Sequence, residues 1–191
     1  MVRALGAAIS SKEPHLILFG GDYLDGKGGM NHLRDLFQCL HAVAPCYGIL
    51  GNHDRWFFGR RLVKETAALV TWLEGNSIAI PGVGIDVRID ISVADHDPAD
   101  ESLRILLLHE PAPFTPSLKG YDIILAGHLH GCQFVTHEKA GYLYPGAWFY
   151  PQNFLDRVQG KTHYFISKGL GDTLPMRLNC PKDILLVDVL P

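Results

Sequence analysis

Residues 46–54, CYGILGNHD, decide how this chain is read. CYGIL is a short apolar run of the length of a buried strand. GNHD then sets an amide, an imidazole and a carboxylate side by side where that strand must end. The same arrangement occurs three more times. LILF (16–19) runs into GGDYLD, which carries Asp22 and Asp25; ILLL (105–108) runs into His109; IILA (123–126) runs into GHLHG, which carries His128 and His130. Ligands of open α/β sheets gather beyond the carboxyl ends of strands, so four such turns are expected to meet at one site.

Between these runs the apolar spacing changes from strand-like to helical. Leu33, Leu36, Phe37 and Leu40 share one face of a helix expected over 31–43, with Asn31 as its N-cap. A second helix is expected over 60–74, with Leu62, Val63, Leu69, Val70 and Leu73 inward and Gly75 as its stop. Val2, Leu5 and Ile9 predict a helix at the start, broken between Ser10 and Pro14. Alternating strands and helices indicate an α/β fold. After Gly131, short runs between Gly and Pro turns read as mostly β, the last two at 162–167 and 183–189.

The totals fit one domain over 1–191: 47% hydrophobic and 19% charged residues are a globular balance. A net charge of -3 with no basic stripe argues against nucleic acid as partner. Cys39, Cys46, Cys132 and Cys180 show no CxxC spacing, so neither a zinc knuckle nor a disulfide framework is indicated. No run approaches the ~18 apolar residues of a membrane span. The cytoplasm or the membrane periphery is the expected location.

Carboxylate, amide oxygen and imidazole form a mixed O/N shell suited to Mn, Fe or Zn, unlike the thiolates of structural zinc or the all-oxygen shell of calcium. One Asp between two cations can bridge them, and two ions roughly 3.5–4 Å apart can activate a water and clamp a phosphoryl group.

The series GDxxD, GNHD, a lone His after a strand, and GHxH, in this order, resembles the calcineurin-like metallophosphoesterases. The tail ISKGLGDTLPMRLNCPKDILLVDV is similar to the end of the YkuE-like branch. The resemblance implies a four-layer α/β/β/α sandwich and a dinuclear metal site, Mn favoured. Asp22 would bridge the two metals. Asn52, His109 and His128 would complete the second metal's shell, and His130 would ligate the first. His53 would stabilise transition-state charge and protonate the leaving oxygen, with Asp25 orienting it. Asp54 is given no direct role. The substrates implied are phosphodiesters or pyrophosphates, among them UDP-2,3-diacylglucosamine and other lipid-linked phosphates.

The family's first motif, DxH at the end of an earlier strand, has no counterpart before Pro14. The first strand is therefore expected to be missing and the first metal site incomplete, with Asp22 and His130 as its ligands. A start at an internal methionine, or a fragment of a longer protein, is the leading explanation. A shortened, weakly active or inactive metal-binding form is an alternative, and substitution by Asp95, His96 and Asp97 is a third. A nuclease of the same superfamily is the rival activity.

Two aromatic clusters stand outside the motifs: Trp56, Phe57 and Phe58 among Arg55, Arg60 and Arg61, and Trp148, Phe149 and Tyr150. The simpler expectation is a hydrophobic lid packed on a sheet. The functional one is a basic, greasy rim that accepts a lipid-linked phosphate or rests on a membrane. His15, His32, His41, His137 and His163 are expected to be ordinary surface or core residues.

Overall fold

Apolar spacing fixes which faces are buried, and in the computed structural model those faces pack into hydrophobic clusters. The structure describes residues 2–24, 27–73, 75, 77–81, 86–95, 97 and 99–189. The chain divides into two compact units, Met1–Asn76 and Ser77–Pro191.

The first unit runs α1 (Val2–Ser10), β1 (Ile17–Phe19), α2 (Met30–His41), β2 (Cys46–Gly48), α3 (Asn52–Phe57), α4 (Gly59–Thr66) and β3 (Thr71–Trp72). Its three strands form a parallel sheet in the order β1-β2-β3. The expected face of α2 is the buried one: Leu33, Phe37 and Leu40 join Leu62, Val70 and Cys46 in one core. Phe37 is fully buried, and its ring meets those of Phe19, Tyr23 and Trp72. Burying such a ring contributes about 2–3 kcal/mol. Gly6 has no room for a Cβ beside the Cys39 sulfur, so α1 lies close against α2 there.

Two expectations in this unit need correction. Asn31 is not a cap: α2 begins at Met30, continuing a single 3₁₀ turn (Lys27–Gly29), and Gly29 stands at the N-cap position. The second helix ends at Thr66, not near Gly75. The Thr66 hydroxyl turns back onto the Leu62 carbonyl, and the N–H groups of Leu69 and Val70 both bond to the Thr66 carbonyl, closing the helix. Val70 and Leu73, read as helical, flank β3 instead, where Tyr47 pairs with Thr71. A short apolar run after a helix satisfies either period, and the open edge of β2 selects the strand.

The second unit holds β4 (Ile78–Ile80), β5 (Val87–Asp90), β6 (Leu103–Leu107), β7 (Ile123–Ala126), β8 (Val135–Lys139), β9 (Tyr142–Pro145), β10 (Asp156–Gln159) and β11 (Thr162–Ile166). Six strands make one mixed sheet, β10-β11-β7-β6-β5-β4, parallel at its centre and antiparallel at both edges; β8 and β9 form a hairpin. Leu106, Ile124, Tyr121 and Tyr164 are the heart of its core. Arg104 and Asp90, 2% and 1% exposed, pair at 3.0 Å inside it. Burial pushes the Asp90 carboxyl up, but hydrogen bonds from Ser77, Arg104, Tyr121 and Arg88 outweigh it and hold the group below its usual range.

The mixed α/β character matches the sequence reading. The expected strand at 183–189 does not form. Ile184, Leu186 and Val189 are 48%, 52% and 47% exposed. Alternation supplies one half of a strand; the other half is a neighbouring edge, and among the described residues none pairs with this segment.

Candidate functional site

In the first unit, register brings two ligand-rich turns together. Phe19 pairs with Gly48 in parallel strands, and the Ile49 N–H continues the ladder onto the Phe19 carbonyl at 3.1 Å. The turns leaving β1 and β2 therefore emerge side by side. The first turns through Gly21 (φ 99°) and Asp22 (φ 59°). The second passes Gly51 and enters α3 at Asn52.

The two turns are tied by carboxylates. Asp54 is completely buried and accepts three backbone N–H groups: Asp22 at 2.7 Å, Tyr23 at 2.9 Å and Gly51 at 3.0 Å. Burial raises its pKa, while these donors pull the other way. The Asp22 carboxylate in turn accepts the His53 N–H at 3.0 Å through Oδ1. Gly51 is obligatory here, because a Cβ would run into that carboxylate and lie 2.5 Å from the Asp22 nitrogen. Tyr23 supports the loop from below, its hydroxyl donating to the Ile49 carbonyl at 2.8 Å and accepting from the Gly21 N–H at 3.2 Å. Burial, then the charge of Asp54, lifts the Tyr23 phenol well above its usual pKa. The His53 ring is half-buried and lies nearly parallel to Trp56, 6.2 Å between centroids. Asp25, the expected partner of His53, lies outside the described residues, as does His96 of the ADHDP cluster.

The second unit repeats the device. Leu107 pairs with Leu125, and the Gly127 N–H reaches the His109 carbonyl at 3.1 Å, so the ends of β6 and β7 adjoin. His128 Nδ1 and His109 Nε2 face one another at 3.0 Å, the rings nearly perpendicular at 74°. His130 follows on the same turn. His128 (φ 67°) and His130 (φ 51°) are both left-handed, so GHLHG is a tight turn and not a strand. A non-glycine residue there costs on the order of 1–3 kcal/mol, the kind of strain that clusters at functional sites. Asp22 shares it.

The sequence reading missed Asp54. The signal was present: an acid three residues after Gly51, at the start of a helix, is placed to reach back to the preceding backbone. Of the aromatic clusters, Phe58 is packed against the first unit's core, but Trp56, Phe57, Trp148 and Phe149 are 72%, 64%, 69% and 74% exposed, which overturns a packed lid for those four rings. His15, His32, His41, His137 and His163 are surface residues.

Paired carboxylate-bearing and histidine-bearing turns at the ends of parallel strands are the working parts of a metal-dependent phosphoesterase. The chain belongs to the calcineurin-like phosphoesterase family, whose model matches residues 1–132. These are hydrolases acting on phosphoester bonds. The chain is 26% identical to the phosphodiesterase YaeI of Escherichia coli K12, over 97% of its own length and 74% of that protein's. It is 25% identical to the uncharacterized metallophosphoesterase YkuE of Bacillus subtilis 168 (92% and 68%) and 28% identical to YpbG, an uncharacterized protein of the same organism (93% and 71%). The YkuE-like branch is thus supported.

The family implies divalent ions, and the donor set fits them. Two imidazole nitrogens bound to one ion at about 2.0–2.1 Å stand about 2.9–3.4 Å apart for angles from octahedral to tetrahedral. The His109–His128 separation of 3.0 Å falls in that range.

Proposed function

We propose that this chain is a phosphodiesterase or pyrophosphatase working through two divalent ions, Mn favoured. The observation that carries this reading is the His109–His128 pair, two nitrogens aimed at each other at 3.0 Å from turns that adjoin in register. Asp22 would bridge the ions, Asn52, His109 and His128 would complete one shell, and His130 would serve the other. Ions held there would supply Lewis acidity toward phosphoryl oxygens and a nucleophile at neutral pH.

The protein's own part is placement and proton transfer. Asp22 is held by its backbone through Asp54 and by its carboxylate through the His53 N–H, which orients it before any ligand binds. His53 would face the phosphate, stabilise charge as it develops and protonate the leaving oxygen, with Asp25 fixing its tautomer. A lipid-linked phosphate is the finer substrate reading. Trp56 and Phe57 stand exposed on α3 beside Arg55 and Arg60, which suits a substrate with an anionic head and an apolar tail.

The test is Mn²⁺-dependent hydrolysis of bis-p-nitrophenyl phosphate by the chain and by His109→Ala and His128→Ala, with bound metal measured alongside. Loss of metal and turnover together is expected. Retention of both in either variant would sink the ligand assignment. Comparing a diacyl nucleoside diphosphate sugar in mixed micelles with its deacylated form decides the lipid reading: equal kcat/KM for the two would end it.

A further inference from the structure

The segment 167–183, which follows β11 in the second unit, contains no helix or strand. A backbone bridge ties it at Leu178, whose N–H reaches the Gln133 carbonyl at 2.8 Å and whose carbonyl accepts the Val135 N–H at 2.9 Å; side chains hold much of the rest. Gln133 is the first anchor, 3% exposed and left-handed at φ 58°. Its Nε2 donates to the carbonyls of Leu174 at 2.7 Å and Met176 at 2.9 Å, and its Oε1 accepts the N–H groups of Thr173 at 2.9 Å and Leu174 at 2.8 Å. That is the full hydrogen-bonding capacity of one side-chain amide. Arg177 is the second. Nη2 donates to the carbonyls of Lys168 at 3.0 Å and Gly171 at 2.6 Å, while Nε pairs with Asp172 at 2.6 Å.

Arg177 thus holds the Gly171 carbonyl and Gln133 the 173–176 backbone, while the Asp183 carboxylate accepts the Gly169 N–H at 3.1 Å; the strap so held runs beside His130. A Cβ at Gly169 would stand 3.7 Å from His130 Nδ1, and one at Gly171 3.5 Å from Cε1, both at van der Waals distance. From the same segment Cys180 donates its thiol to the His130 carbonyl at 3.2 Å. Gln133 therefore links the turn that carries His130 to the strap that runs beside its ring. Strained backbone such as that of His130 persists only where its surroundings over-determine it.

We propose that Arg177, on the Gly171 carbonyl, and Gln133, on the 173–176 backbone that follows, are positioning residues for His130, keeping beside its imidazole the strap that carries Gly169 and Gly171. The proposal rests on the reading of His130 as a metal ligand. Groups that orient a ligand from behind typically change metal affinity about 10–100-fold when altered.

Histidine ¹H–¹⁵N correlation spectra of the metal-free chain, followed by titration with Zn²⁺ as the probe, compare the wild type with Gln133→Leu and Arg177→Lys. The expected result is a displaced His130 signal with those of His109 and His128 unmoved. The Zn²⁺ concentration that half-shifts His130 should rise about 10–100-fold. An unchanged His130 signal in both variants overturns the proposal. If Gln133→Leu loses its cooperative melt, Arg177→Lys decides, since it keeps charge and stem and removes only the planar fork. Failure of the ligand reading looks different: Zn²⁺ then leaves the wild-type His130 signal unmoved, while the metal-free spectra still judge the clamp.

Discussion

The buried carboxylate of Asp54 accepts the backbone N–H of Asp22 at 2.7 Å, across 32 residues of chain. With the Tyr23 and Gly51 donors, this makes Asp54 the peg on which both ligand turns of the first unit hang. Asp54→Asn keeps the shape but turns one acceptor oxygen into a donor facing N–H groups. We expect a loss of about 1–3 kcal/mol by denaturant unfolding. Metal affinity should fall with it, because Asp22 is no longer held. An Asn variant with wild-type midpoint and metal content would contradict the peg.

Gly51→Ala is a sharper probe of the same contact. The added methyl must displace the Asp22 carboxylate or part the two turns. Overpacking of this kind costs about 1–3 kcal/mol. Turnover should fall by more than stability alone explains, measured at a temperature where the variant is fully folded.

His53→Ala tests a division of labour. With proton transfer removed, kcat should drop about 10²–10⁴-fold. Bound metal should stay near the wild-type level by elemental analysis, since His53 is assigned to substrate rather than to metal. Loss of metal would show that His53 is a ligand.

Asp90 sets a pH limit on stability. Its folded pKa lies below the usual 3.8, so its contribution to stability is present above that value and is lost as pH falls through the folded one. Asp90→Asn should remove this acid limb from the stability profile. It should also cost about 3–5 kcal/mol at neutral pH, because Arg104 is left as a buried charge without its partner. Equilibrium urea unfolding from pH 3 to 7 reads both effects.

The sequence by itself determined the alternation of strand and helix, the buried face of α2, and the residues that stand where strands end. Those features are local: apolar period and turn chemistry operate over a few residues. It did not reveal where an element stops when a neighbour competes for it, as at Thr66, or that 183–189 would find no partner edge among the described residues. Tertiary structure decided those, since a strand is half-made until another backbone pairs with it. It also decided the site's fine geometry. The left-handed backbone at Asp22, His128 and His130 is held by contacts from residues distant in sequence, as are the peg at Asp54 and the strap pinned by Gln133. No local pattern specifies a conformation that is locally unfavourable; only packing and hydrogen bonds made elsewhere in the fold can hold it.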